Sequence, residues 1–71
     1  MKTVVVGEWD GEHSEVSLED TATVNDALHK AGYSLRSNQQ ITAYSNALRV
    51  NTDEIVSDGE TYLITGSQIS G

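Results

Sequence analysis

Carboxylates are the side chains through which this chain could do chemistry. The sequence has 11 Asp and Glu residues against 4 Lys and Arg, a formal net charge of -7 over 71 residues. Seven of the acidic residues lie between Glu8 and Asp26, a stretch without Lys or Arg. A second acidic cluster comprises Asp53, Glu54, Asp58 and Glu60. Such a surface repels nucleic acids and anionic membranes and attracts basic partners.

Catalysis by these carboxylates is not expected. Paired carboxylates serve as acid and base only where a cleft shifts their pKa values. A chain this short buries only about 60% of its unfolded surface, so a deep cleft is not predicted. Asp10, His13 and Ser14 are close in sequence but lack the order and setting of a catalytic triad. Without a glycine-rich phosphate loop either, the sequence predicts a protein that is not an enzyme.

The two histidines are the remaining candidates for chemistry. His13 lies near Glu12 and Glu15, which would suggest a metal site, but the chain has no cysteine and no His pair spaced i, i+4. We therefore predict surface histidines, no metal and no other cofactor. The lack of cysteine excludes disulfides and suits the reducing cytoplasm, where we expect the protein. No signal peptide or membrane span is visible.

Five strands are predicted to position the carboxylates. The β-branched run Lys2–Glu8 and the alternating segment His13–Leu18 predict a hairpin, with Asp10-Gly11 in its turn. Further strands are predicted at 40–44, 47–50 and 60–65, with turns at Ser45-Asn46 and Asp58-Gly59. Residues 34–39 are predicted to form a loop, and 51–57 an irregular segment.

A helix is predicted between the hairpin and the later strands. Its apolar residues follow i, i+3, i+4 and i+7 spacing: Val24, Ala27, Leu28 and Ala31. Thr23 is placed as the N-cap, and Asp26 three residues later completes something close to a capping box. Gly32 is a natural stop. So short a helix is unstable alone and must cover one face of the sheet.

The order β-β-α-β-β-β predicts a single α+β domain over residues 1–66, with one helix across a four- to five-stranded mixed sheet, and a flexible tail at 67–71. Ile55 is predicted to anchor the irregular segment in the core. Leu48, Val50 and Leu63 would be partly exposed if they point away from the helix, and the sequence does not settle their register. Trp9 at the hairpin turn is either a core residue at the end of the sheet or an exposed interface anchor.

The chain resembles the ubiquitin-like β-grasp proteins, especially small sulfur carriers of the ThiS and MoaD type. The resemblance rests on the Asp10-Gly11 hairpin, the segment 18–24 before the helix, Ala27-Leu28, Ala31-Gly32 and the segment 57–60. In that family a terminal Gly-Gly is adenylated and becomes a thiocarboxylate or an isopeptide donor. This chain ends in Ser70-Gly71. The resemblance therefore implies a β-grasp fold and, as an alternative function, a carrier or modifier activated at Gly71.

The charge pattern itself predicts a protein-binding module. Same-face residues on a strand repeat every ~6.6 Å, and a row of carboxylates imitates sparsely the phosphates of DNA. Small acidic proteins, many of them phage-encoded, inhibit DNA-binding proteins in this way. The most concrete hypothesis is therefore a DNA-mimic inhibitor of a basic nucleoid protein such as the histone-like HU. The predicted contact residues are Glu8, Asp10, Glu12, Glu15, Glu19 and Asp20, with Asp53, Glu54, Asp58 and Glu60 as a second patch. A monomer or a weak homodimer paired through edge strands is expected.

Overall fold

Five strands and one helix follow one another in the predicted order. The computed structural model of the chain describes residues 1–9, 11–35 and 39–66. The elements are β1 (Lys2–Glu8), β2 (His13–Leu18), α1 (Val24–Ala31), β3 (Gln39–Ala43), β4 (Leu48–Val50) and β5 (Thr61–Gly66). These bounds agree with the periodicity to within one residue at each end.

The strands form one mixed sheet in the order β2-β1-β5-β3-β4. β1 pairs with β2 antiparallel and with β5 parallel, and β3 pairs antiparallel with both β5 and β4. The hairpin therefore supplies the edge strand β2, and β4 forms the other edge. This arrangement confirms the α+β class, with a five-stranded mixed sheet and a single helix.

The core lies between the helix and one face of the sheet. Alternate residues of the strands point into it, as the period-2 pattern predicts, and the buried helix residues meet them. The alternation predicts that Val16 and Leu18, Ile41 and Ala43, and Tyr62 and Ile64 each share one face of their strand, and all six are buried in the core. The largest fully buried side chains are Leu28, Ile41, Val4, Val6, Val24 and Val56.

The helix begins and ends where the sequence predicts. The Thr23 side chain accepts a hydrogen bond from the Asp26 backbone N–H, and the Asp26 carboxylate accepts one from the Thr23 N–H at 3.0 Å. This reciprocal pair is a complete capping box. Gly32 closes the helix with a left-handed φ of 86°, a conformation that glycine adopts without steric cost. Asp26 is thus bound to the helix start.

The prediction that Ile55 anchors the irregular segment is wrong. Ile55 is 56% exposed, whereas its neighbour Val56 is 1% exposed and belongs to the core. The Val56 N–H donates to the Ala22 carbonyl at 2.9 Å, next to an isolated bridge between Thr23 and Ile55. Because neighbouring side chains of an extended segment point to opposite sides, fixing Val56 inward turns Ile55 outward.

The register settles the open question of the sheet faces. Leu48 and Val50 stand opposite Ala43 and Ile41, so both belong to the helix side of the sheet. Val50 packs against the core, whereas Leu48 is 61% exposed because β4 is a short edge strand. Leu63 alone of the three lies on the open face, the face that the helix does not cover, but it is only 4% exposed, so the expectation of partial exposure there is wrong. Ala47 falls in the preceding turn with a φ of 57°.

Some predictions fall outside the described residues. They concern Asp10 in the hairpin turn, residues 36–38 of the predicted loop, and the tail at 67–71 with Gly71. Within the described ranges, no helix is both long and apolar enough to cross a bilayer.

Candidate functional site

The β1–β2 hairpin carries the largest group of unengaged carboxylates. Its register runs from Lys2 opposite Leu18 to Gly7 opposite His13, a span of roughly 17 Å at the usual rise of about 3.4 Å per residue. Four exposed side chains on or beside it accept no hydrogen bond and form no ion pair with any described residue: Glu8, Glu12, Glu15 and Glu19. We call them the hairpin carboxylates.

The hairpin carboxylates are distributed along the edge of the sheet. Glu8 and Glu12 lie at the turn end, and Glu19 follows the opposite end of β2. Glu15 lies between them on the open face, opposite Val5. The hairpin carboxylates are therefore spread over the hairpin from its turn to the far end of β2 and do not form a single compact patch.

Asp20 differs from the hairpin carboxylates because it has a cationic partner. Its carboxylate lies 3.2 Å from the N-terminal amine of Met1, and both groups are exposed. Such an exposed pair contributes about 0–1 kcal/mol to stability. A basic partner would have to compete with this amine for Asp20.

The second acidic cluster is mostly engaged in holding turns. The Glu54 carboxylate accepts the Asn51 N–H at 2.8 Å, and the Asp58 carboxylate accepts the Thr3 N–H, also at 2.8 Å. Of this cluster, only Asp53 has no such partner among the described residues. The predicted second patch therefore does not form a row of free anions.

Glu60 is the most constrained of the carboxylates in the second cluster. It accepts hydrogen bonds from the Ser45 N–H at 3.2 Å, from the Ser45 hydroxyl and from the Thr61 N–H at 2.9 Å. Partial burial alone would raise its pKa, but these hydrogen bonds favour the charged form and together hold the pKa below its ordinary value. Its place is therefore structural, joining the turn before β4 to the start of β5.

The cations of the described chain do not neutralise the hairpin. The Lys2 ammonium donates to the Val56 carbonyl at 2.7 Å, and Arg49 donates to the Gln40 side-chain oxygen at 2.7 Å. Arg49 lies on β4, four strands away from β2, or roughly 19 Å at about 4.8 Å per strand. Arg49 therefore lies at the edge opposite β2. Lys2 on β1 and Lys30, which borders the same surface pocket as Glu19, are nearer the hairpin but form no ion pair with its carboxylates.

An apolar cleft lies on the open face. The sequence predicts Trp9 as a possible surface anchor and Leu63 as a possible open-face residue, but it does not predict that the two share a cleft. It is lined by Trp9, His13, Tyr44, Thr61 and Leu63, with a volume of about 280 Å³. Trp9 follows the end of β1, and its backbone N–H donates to the Ile64 carbonyl. The backbone N–H of Tyr44 donates to the Thr61 carbonyl. The register places both aromatic residues beside β5, whereas in the sequence the signal for this cleft is the alternative that Trp9 is an exposed interface anchor.

Trp9 and His13 are both exposed. Trp9 is 62% exposed, so it is a surface residue at the rim of the cleft. His13 is exposed, and its Nε2 lies 3.1 Å from the Glu8 carbonyl, which can only accept, so this nitrogen is the donor. Among the described residues, no three His, Asp or Glu side chains are grouped closely enough to hold a metal ion.

Comparison with known proteins adds no relative. No protein-family model matches the sequence, and no curated protein matches it.

Proposed function

We propose that this chain is a non-enzymatic module that binds a basic protein through the hairpin carboxylates. The observation that supports it is the contrast between the two acidic clusters. Most carboxylates of the second cluster are engaged by turns, while Glu8, Glu12, Glu15 and Glu19 have no described partner. Repulsion among like charges with no compensating contacts is unfavourable for the free protein. A cationic partner would relieve this repulsion.

Charge of this kind acts mainly on encounter and orientation. Complementary potentials raise association rates and suppress unsuitable partners more than they raise affinity. Because exposed charges are screened over about 10 Å at 0.1 M salt, binding should weaken as salt rises. The proposal therefore predicts a strongly salt-dependent complex.

The most concrete form of the proposal is a DNA mimic. Glu15 and Glu19 are four residues apart, or roughly 14 Å at about 3.4 Å per residue, so the carboxylates are a sparse imitation of phosphates that follow one another every ~3.4 Å along one DNA strand. The hairpin carboxylates, spread over about 17 Å, could thus occupy part of a groove that binds a phosphate backbone. The partner would be a basic DNA-binding protein, with a histone-like nucleoid protein of the HU type as the example to test. Nucleic acid itself would be repelled.

We also propose the finer assignment of the fold as a β-grasp. It is supported by the order β2-β1-β5-β3-β4, with parallel β1 and β5 at the centre and the helix joining β2 to β3. The alternative function that this fold suggests, a carrier or modifier activated at Gly71, requires a terminal adduct. Mass spectrometry of the protein recovered from cells would detect it, because a thiocarboxylate or a conjugate changes the mass at Gly71.

The test of the proposed function is charge reversal on the hairpin with a matched control. The double variant Glu12→Lys/Glu15→Lys, the single variant Glu15→Lys and its charge-matched control Asp53→Lys would be titrated against purified HU-type protein in low and high salt. Asp53 suits as the control because it is exposed and unpartnered among the described residues but lies off the hairpin. We expect the double variant to lose at least about tenfold in affinity, with a much smaller effect for Asp53→Lys than for Glu15→Lys.

Competition with a DNA duplex distinguishes the DNA-mimic form of the proposal from the more general one, a module that binds a basic protein. If wild-type protein displaces the duplex from the HU-type protein and the double variant does not, the DNA-mimic form is supported. If the basic protein binds without releasing DNA, the mimic form is wrong and the interaction module stands. Binding that is indifferent to salt and to charge reversal would refute the whole proposal.

A further inference from the structure

The apolar cleft on the open face has exposed aromatic walls and a buried floor. Trp9 and Tyr44 are 62% and 67% exposed, whereas Leu63 between them is only 4% exposed. Leu63 stands opposite Gly7 on β1 and Thr42 on β3. The helix lies on the other face, so Leu63 belongs to a small apolar centre separate from the core.

Gly7, which has no side chain, leaves room for the His13 ring at one side of the cleft. Gly7 has His13 as its partner on β2, and the His13 ring lies over the space that a side chain at Gly7 would fill. The imidazole therefore lies close against the sheet and forms one side of the cleft. Trp9 and Tyr44 stand at the rim around Leu63 and Thr61.

We propose that this cleft binds one lysine or arginine side chain of the basic partner. The inference rests on the proposed function, and it adds the anchoring contact to the steering charges. Aromatic faces attract a cation within about 6 Å of the ring centre. The methylene stem of Lys or Arg packs on apolar surface while its charged head stays near solvent. Leu63 would take the stem, and the Trp9 and Tyr44 rings would take the head.

Charge around the cleft favours a cation over other occupants. Glu15 lies on the same open face, two positions along β2 from His13, and Glu8 directly precedes Trp9. Neither carboxylate has a partner among the described residues. A cationic side chain in the cleft would be close to Glu15, whereas Glu8 stands beside the core residue Ile64 and so points to the helix side, adding attraction only at longer range. An anionic or purely apolar group would not gain this attraction.

The size of the cleft fits one side chain. Its volume of about 280 Å³ is just below the range of ~300–1,000 Å³ that is usual for sites of drug-sized molecules. Arg49 lies on the same face but near the opposite edge, where Gln40 engages it. The positive charge of Arg49 would repel a cation that approaches from β4. The partner's chain would therefore enter the cleft from the β2 side.

Trp9 makes the proposal directly measurable, since it is the one tryptophan of the chain. The probes are two short synthetic peptides, one alternating lysine with glycine and one with glutamine in place of each lysine. We expect the lysine peptide to change the fluorescence of Trp9 and the amide resonances of Leu63 and Thr61. The glutamine peptide should leave them unchanged.

Variants then separate the cleft from the hairpin carboxylates. Tyr44→Ala should weaken the lysine peptide about three- to tenfold, while Leu48→Ala, an equally exposed apolar truncation on the other face, should not. Trp9→Phe should weaken it less than Trp9→Ala, because phenylalanine retains a ring.

Each proposal has its own failing outcome. If the lysine peptide binds with salt dependence but Tyr44→Ala and Trp9→Ala bind it as well as wild type, the cleft inference is wrong and the proposed function stands. Equal binding of both peptides would also refute the cleft inference, since no cation would be required. If neither peptide binds and the HU-type protein does not bind, both the cleft inference and the proposed function are refuted.

Discussion

The imidazole ring of His13 lies over the Cα atom of Gly7, its partner across the β1–β2 hairpin. A Cβ atom built on Gly7 would overlap with Cδ2 of the ring and lie 2.6 Å from the Glu12 carbonyl oxygen. The ring is held there by the hydrogen bond from Nε2 to the Glu8 carbonyl. Glycine in the middle of a sheet marks such a close approach.

Replacing Gly7 tests this relationship. Gly7→Ala should lower the free energy of unfolding by about 1–3 kcal/mol, because the ring and the Glu12 carbonyl must both shift. Urea unfolding followed by circular dichroism measures the change. The control is Gly11→Ala, whose Cβ would first meet the Glu8 carboxylate at 2.8 Å, the mobile end of a side chain. Equal stability of Gly7→Ala and wild type would contradict the close packing.

The capping box at the start of the helix gives a second prediction. Thr23→Ala removes the acceptor for the Asp26 N–H and should cost about 1 kcal/mol of stability. Thr21→Ala is the matched control, because Thr21 is exposed and its hydroxyl forms no hydrogen bond with the described residues. Thermal unfolding of both variants would show the difference. A loss of the same size in both would mean that the capping contact contributes nothing.

Much of the fold could be predicted because local patterns and tertiary packing agree. The capping box, Gly32 and the helical spacing all indicate the same helix, and alternation assigns Ile41 and Ile64 to the core. The failure at Ile55 has a different origin. Two adjacent β-branched residues are equivalent in the sequence, and only the hydrogen bond from Val56 to Ala22 decides which one points inward.

The candidate site could be predicted only in part. Composition locates the acidic stretch, but the sequence does not distinguish a carboxylate that accepts backbone hydrogen bonds from one that has no partner. The sequence therefore predicts Glu60 and Asp58 as contact residues of a second patch, although they accept hydrogen bonds from Ser45 and Thr3, which are distant in sequence. The cleft depends on strand register as well, which one sequence does not specify for the outer face.

Truncation in the core should show that enclosure between the helix and the sheet, and not apolar character alone, stabilises the fold. Leu28→Ala removes a side chain that is 1% exposed between the helix and the sheet, and it should cost about 2–5 kcal/mol. Leu48→Ala is the same chemical change at an exposed position and should stay within about 0.5 kcal/mol. Denaturant unfolding of both variants measures the contrast. Similar values for the two would mean that Leu28 is not enclosed by the core.

Glu60 gives the prediction that depends on pH. Its folded-state pKa is lowered, so the stability it contributes is present above its unfolded-state pKa and is lost as the pH falls through the folded-state pKa. Glu60→Gln should therefore cost about 1 kcal/mol near neutral pH, a modest value because the group is partly exposed to solvent. The cost should disappear in acid, where Glu60 is protonated in both states.

Unfolding curves of wild type and Glu60→Gln across the acid to neutral range would measure this difference. Glu15→Gln removes the same charge from a side chain with no partner among the described residues. It should leave stability unchanged or slightly raised at every pH, because it only relieves repulsion. If Glu60→Gln also showed no loss at neutral pH, the hydrogen bonds from Ser45 and Thr61 would not stabilise the folded chain. A loss that persisted undiminished in acid would instead point to packing and not to charge.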